Sequence, residues 1–173
     1  MLSPMRLWLL LFFCSTIFAQ TSSKPGDRWA PLAFLIGEWT GEGGGGPGQG
    51  SGSFSFWPDQ NETILVRKNH ANYPPTKDRP AFGHWDLMII YKEPSETKLR
   101  AIHFDTEDHV IHYTVEPSTD GNSVQFVNES YRLTYRRTGP DTVGIKFEIA
   151  PRDKPGQYFT YIEARARRTK PYF

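Results

Sequence analysis

Polar and apolar residues alternate with a period of two along most of this chain. Val143, Ile145 and Phe147 share one face while Gly144, Lys146 and Glu148 share the other; Tyr131, Leu133 and Tyr135 alternate with Arg132, Thr134 and Arg136. Such alternation is the mark of strands with one buried face. It predicts strands over Glu38–Glu42, Ser51–Trp57, Glu62–Tyr73, His84–Tyr91, Lys98–Phe104, Val110–Val115, Ser123–Val127, Tyr131–Arg137, Thr142–Glu148 and Tyr158–Arg167. Turn chemistry separates them at Asp120-Gly121-Asn122, Gly139-Pro140-Asp141 and Asp153-Lys154-Pro155-Gly156. Trp29 to Ile36, with Pro31 at a first-turn position, reads as one or two helical turns. No long amphipathic helix follows. Short strands with hairpin-length links predict an all-β, antiparallel up-and-down barrel of about ten strands, capped by a short N-terminal helix, because closure removes the edges.

The ends of the chain carry a different pattern. Arg6, the apolar run Leu7 to Phe13 and the Phe18-Ala19 pair have the layout of a secretory signal, with cleavage expected near Ala19. The run is too short to span a bilayer, so no transmembrane segment is expected in a mature chain that is secreted or periplasmic. The expected organisation is a signal peptide over 1–19, a flexible stretch over 20–30, the barrel over 31–168 and a tail over 169–173. The sole cysteine, Cys14, lies in the leader. A lipid anchor on Cys14 is the alternative, disfavoured by the bulky Phe12 and Phe13. Loss of the leader would leave no thiol for disulfides, zinc–thiolate sites or catalysis.

Twenty basic residues against nineteen acidic ones leave a net charge of +1. No global field draws this chain to nucleic acid, and none is expected as a partner. Twelve Phe, eight Tyr and five Trp supply a large apolar interior or a lined pocket. The glycine run Gly41 to Gly52 lacks both the Lys-Ser/Thr ending and the following helix of a phosphate-binding loop, and is expected to form a lip over one end of the barrel. Asn61-Glu62-Thr63 and Asn128-Glu129-Ser130 fit the N-glycosylation pattern.

Phe34-Leu35-Ile36-Gly37-Glu38-Trp39-Thr40-Gly41-Glu42-Gly43 carries a further signal. A tryptophan just after a glycine at the head of a barrel meander resembles the lipocalin-type (calycin) signature, and the fuller stretch is similar to exported bacterial lipocalin-like proteins and to nitrobindin-like haem-binding barrels. The resemblance implies that Trp39 plugs one end under a basic side chain of the last strand, here Arg165 or Arg167. It also implies a haem-ligating histidine late in the chain. This sequence departs from that: its histidines are 70, 84, 103, 109 and 112. Tyr158 or Tyr161 would be the remaining late candidates, since tyrosinate ligates haem iron in some proteins.

Among residues with chemistry, His103 to His112 stand out. A tight turn at Glu107-Asp108 would pair Thr106 with His109 and place His103 directly opposite His112, with Asp105 on the same face. That group is either a hydrogen-bonded polar pair, a ligand contact or, with a third donor, a divalent-metal site. The geometry depends on register. Arg67, if inward, needs an anionic ligand or an acidic neighbour such as Asp86 or Glu62. The expected function is sequestration of a small apolar or amphipathic molecule, contacted by Trp57, Arg67, Trp85, His103 and His112. The alternatives are an enzyme, with or without metal, built on His103 and His112, and third a haem protein. No cofactor is predicted, and no Ser-His-Asp order or carboxylate pair points to a catalytic residue.

Overall fold

The computed structural model describes residues 27–42, 50–95 and 97–171. A 3-10 helix over Asp27–Leu35 leads into ten antiparallel strands: β1 (Gly37–Gly41), β2 (Ser51–Asp59), β3 (Ile64–Tyr73), β4 (Phe82–Lys92), β5 (Leu99–Asp105), β6 (Val110–Pro117), β7 (Ser123–Val127), β8 (Tyr131–Gly139), β9 (Thr142–Ile149) and β10 (Phe159–Pro171). Each strand pairs with its neighbour in sequence, and β1 also pairs with β10, which closes the ring. The expected barrel is therefore present, strand for strand. Its last strand runs to Pro171, past the expected end at residue 168, and the helix starts within the stretch expected to be flexible. The expected leader, Cys14 and residues 43–49 of the glycine-rich run lie outside the described residues. No helix among those described is long and apolar enough to cross a membrane.

One end of the barrel is sealed. Trp39, 1 % exposed, points inward and donates its indole N–H to the carbonyl of Leu35 at 2.7 Å. Trp29, Leu32 and Leu35 of the helix are fully buried with it. Gly37 makes the corner at φ 131°, where a Cβ would fall on the carbonyl oxygen of Lys170. Only glycine adopts that backbone without strain, which is the physical content of the Gly-Glu-Trp element.

The basic lid over Trp39 is Arg168, not Arg165 or Arg167. A bulge between Glu38 and Trp39 shifts the β1–β10 register, so that Trp39 faces Arg168 and Thr40 faces Arg167. Arg168 lies 4.3 Å above the indole centroid. Its Nη1 and Nη2 donate to the carbonyls of Ile36 and Phe34, the latter at 2.8 Å. One side chain thus covers the plug and satisfies carbonyls that the helix end leaves without partners. Arg167 sits outside, paired with Glu42.

Above the plug the sealed half is filled by apolar side chains, with Phe56, Leu65, Ile90, Val124, Tyr135 and Val143 all fully buried. On the outer face, β8 and β9 are clamped by Glu148, which accepts from Arg132 Nε at 2.6 Å and from Arg132 Nη2 at 3.0 Å, with Lys146 Nζ at 2.9 Å. The Arg132 hydrogen bonds, opposed by burial and aided by Lys146, bring Glu148 down from 4.5 to about 2.

Two predictions follow from this packing. Trp39→Ala should cost about 3–5 kcal/mol and Arg168→Lys about 1–3 kcal/mol, while Arg165→Ala and Arg167→Ala stay within about 1 kcal/mol. Urea denaturation followed by circular dichroism measures all four, and equal effects at 165 and 168 would contradict the register. The Glu148 contribution is present above pH 4.5 and lost as pH falls through about 2. Glu148→Gln should therefore remove stability at pH 6 but little at pH 2; a pH-independent difference would refute the clamp.

Candidate functional site

Midway up the barrel the interior changes character. Arg67 of β3 points inward and is 6 % exposed. Its Nη1 pairs with Asp86 Oδ1 of β4, and its Nε donates to Tyr135 Oη at 2.8 Å. The guanidinium lies 6.0 Å from the Phe54 centroid and 5.9 Å from that of Tyr135. Arg67 stands opposite Met88, and Asn69 opposite Asp86, so the ion pair is a diagonal cross-strand contact on one face. Of the two expectations for Arg67, the acidic neighbour is the one observed, and it is Asp86. Burial alone would pull Arg67 down, but Asp86 and Tyr135 hold it above its ordinary value. Burial opposes the Asp86 charge, yet Arg67, His84, His103 and Asn69 together keep the carboxyl below the usual range.

From this pair a polar wall climbs β3, β4 and β5 toward the open end. Asn69 Nδ2 donates to Asp86 Oδ2 at 2.8 Å. His84 Nε2 lies 3.3 Å from the same oxygen, and His84 Nδ1 lies 3.0 Å from Glu107 Oε1. The hydrogen bond to Asp86, against some burial and with help from Glu107, pushes His84 up to about 9. His103 is 9 % exposed. Its Nδ1 sits 3.8 Å from Asp86 Oδ1 without a hydrogen-bond partner, and its Nε2 lies 3.5 Å from Asp105 Oδ2. Burial is the main cause that holds His103 below its usual value.

The opposite wall is apolar. In the ring order β4 and β9 lie on opposite sides. Ala164, Ala166, Val143, Ile145 and Phe147 share the inner face by register, and Tyr131 stacks on Phe147 at 5.9 Å. Ala166 is fully buried, whereas Ala164, two residues nearer the open end on the same face, is exposed. Ile145, Phe147 and Ile162 are half-buried. Solvent therefore reaches the inner face above Ala166 and not below it. At the rim, Tyr73 stacks on Phe82 at 4.6 Å beside a cavity of about 450 Å³ that also touches Pro74 and Ser51.

The expected His103–His112 pair does not form. His103 faces Ile111, and His112 faces Ile102, exposed on the outer side beside Arg100 and Asn128. The cause is one extra residue in the turn. Asp105 and His109 flank a three-residue loop that ends in Asp108 at φ 64°. Asp105 Oδ1 fixes it by accepting the N–H groups of Glu107 at 2.9 Å and His109 at 3.1 Å. A one-residue slip turns every later side chain to the other face.

Trp85 is half exposed on the outer face and stacks on His70 at 4.5 Å. Trp57 is half-buried, opposite in parity to the inward Phe54 and Phe56, with Lys170 Nζ 6.0 Å from its ring centre. Of the five expected contacts, Arg67 and His103 share the interior. The inward residues His84, Asn69 and Asp86 complete their wall, and the run Asp86, Met88, Ile90 on β4 carried that signal. Tyr158 donates its hydroxyl to Asn128 O under Arg132, and Tyr161 is exposed at the mouth against Phe147.

Comparison of the chain with family models and with curated proteins gives no match.

The ion pair carries a direct prediction. Asp86→Asn leaves the Arg67 cation buried without its charge partner and should cost about 3–5 kcal/mol. In Arg67→Met/Asp86→Leu most of that loss should return, because an apolar pair removes both desolvation costs. Chemical denaturation of the three proteins decides it, and a double variant as unstable as the single one would contradict the pairing.

Proposed function

We propose that this protein is a lipocalin-like carrier whose open half holds a small amphipathic molecule, after export through its leader. The observation that carries this reading is the exposed inner face at Ala164 above the sealed Ala166, set between an apolar wall and a polar one. Burial of a chain or ring system against Ile145, Phe147, Tyr131 and Ile162 supplies affinity at about 25 cal/mol per Å². The polar end of the ligand is oriented by Asn69, His84 and His103. Arg67 does not reach the ligand as a free cation, because Asp86 neutralises it; the pair forms the floor of the chamber. Selectivity then rests on hydrogen bonding to the Asn69 amide and the two histidine rings rather than on a bare positive charge, since the His84 charge is paired with Asp86 and Glu107. Trp57, Trp85 and His112, which face outward or stand apart from this chamber, take no part in the contact.

The test uses dansyl-labelled undecanoic acid as a probe of fixed chemistry. Saturable binding with a blue-shifted emission is expected. Ala164→Trp should weaken it at least about tenfold, or 1.4 kcal/mol, by filling the chamber. Lys68→Trp, on the outer face, should leave it unchanged. Equal binding by both variants, or no binding by the wild-type protein of this or other single-chain amphiphiles, would refute the proposal.

A further inference from the structure

At the rim of the polar wall, two imidazoles converge on one carboxylate oxygen. His109 Nδ1 lies 2.9 Å from Asp105 Oδ2, and His103 Nε2 approaches the same atom at 3.5 Å from the buried side. Donor atoms of Asp105, Glu107 and His109 all lie within 4.8 Å of one another. Four ligands around a tetrahedral zinc-type ion with bonds of about 2.0–2.1 Å stand roughly 3.3–3.4 Å apart. The 2.9 Å and 3.5 Å spacings to Asp105 Oδ2 bracket that value.

The hairpin holds the donors in place before any ion arrives. Asp105 divides its work: Oδ1 takes the two backbone N–H groups that fix the turn, which leaves Oδ2 turned toward the imidazoles. Glu107 is oriented from behind by His84 Nδ1 at 3.0 Å. These supports are of the kind that orient metal ligands.

His103 is the independent sign. It is nine-tenths buried and stands between two carboxylates, Asp86 on the Nδ1 side and Asp105 on the Nε2 side. Its Nδ1 has no hydrogen-bond partner, and its Nε2 is turned toward Asp105 Oδ2, the same oxygen that His109 faces from the solvent side.

We propose that the β5–β6 hairpin binds one divalent transition-metal ion of the zinc type through Asp105, Glu107 and His109, with His103 on its buried flank. Mixed imidazole and carboxylate donors suit zinc, cobalt or nickel rather than calcium, which takes six to eight oxygens. Three protein donors leave a fourth position for water, the count of an open rather than a closed site. The site differs from the expected His103–His112 arrangement, since His109 takes the place that the register denies to His112. It stands independently of the carrier reading, because the donors lie at the rim and need no molecule in the chamber.

The experiment titrates EDTA-stripped protein with Co²⁺, followed by visible absorption, and displaces it with Zn²⁺. One equivalent per chain with d–d bands is expected. Glu107→Gln/His109→Ala, both exposed positions, should weaken binding at least about 100-fold with an unchanged circular-dichroism spectrum. Two controls separate coordination from diffuse attraction: Asp108→Asn keeps the left-handed turn and His112→Ala removes the outward histidine. Each should stay within about twofold of wild type. Absence of stoichiometric binding up to about 1 mM, equal affinity in the double variant, or loss of binding in either control would overturn the proposal.

Discussion

The Arg67–Asp86 ion pair is the constraint around which the barrel interior is arranged. A guanidinium in an apolar interior is tolerated only with a charge partner and with its remaining donors satisfied. Asp86 and Tyr135 meet that requirement from two other strands, β4 and β8, and so tie three strands together across the barrel. Below the pair every inward position can be apolar and closely packed, down to the Trp39 plug. Above it, each polar group needs a partner in turn: Asp86 draws Asn69, His84 and His103 onto one wall, and the opposite wall remains free to be apolar. The polarity of the chamber thus descends from one buried charge.

How much of this was legible depends on how far apart in sequence the deciding residues lie. Strand positions were legible almost residue by residue, because period-two alternation and Gly, Pro and Asp turns are local. The role of Trp39 was legible too, through the resemblance that Gly37-Glu38-Trp39 and the apolar turn before it carry. The identity of its lid was not: the β1–β10 register sets Trp39 opposite Arg168 beside a bulge that leaves Thr169 of β10 unpaired, and no local pattern announces that step. The same limit decides the β5–β6 hairpin. Whether the turn holds two residues or three is set by the Asp105 carboxylate gathering two N–H groups and by Asp108 in the left-handed region. That one residue replaces His112 with His109 as the imidazole beside Asp105. The partner of Arg67 was open for a related reason, since a diagonal contact exists only once the β3–β4 register is known.

These features give a coherent division of labour along the barrel axis. The sealed half, with its helix, plug and apolar filling, supplies stability without disulfides. Under the proposed carrier function the open half would supply recognition, with burial on one side and directional hydrogen bonds on the other. The β5–β6 hairpin stands where the polar wall reaches solvent, so an ion held there would sit at the entrance and not in the path of apolar burial. Rigid strands carry every inward group, which favours a chamber of fixed shape over one formed on binding.

The interior is closed below the Arg67 level and open above it, and thiol accessibility measures this most directly. In a Cys14→Ser background, cysteines are placed singly at Ala164 and Ala166, two positions on the same inner face of β10. Ala164→Cys should react with a small maleimide at a rate near that of a free thiol, while Ala166→Cys should be protected unless the protein is unfolded. Equal protection at both positions would mean that the barrel is filled throughout and would contradict this division of the interior.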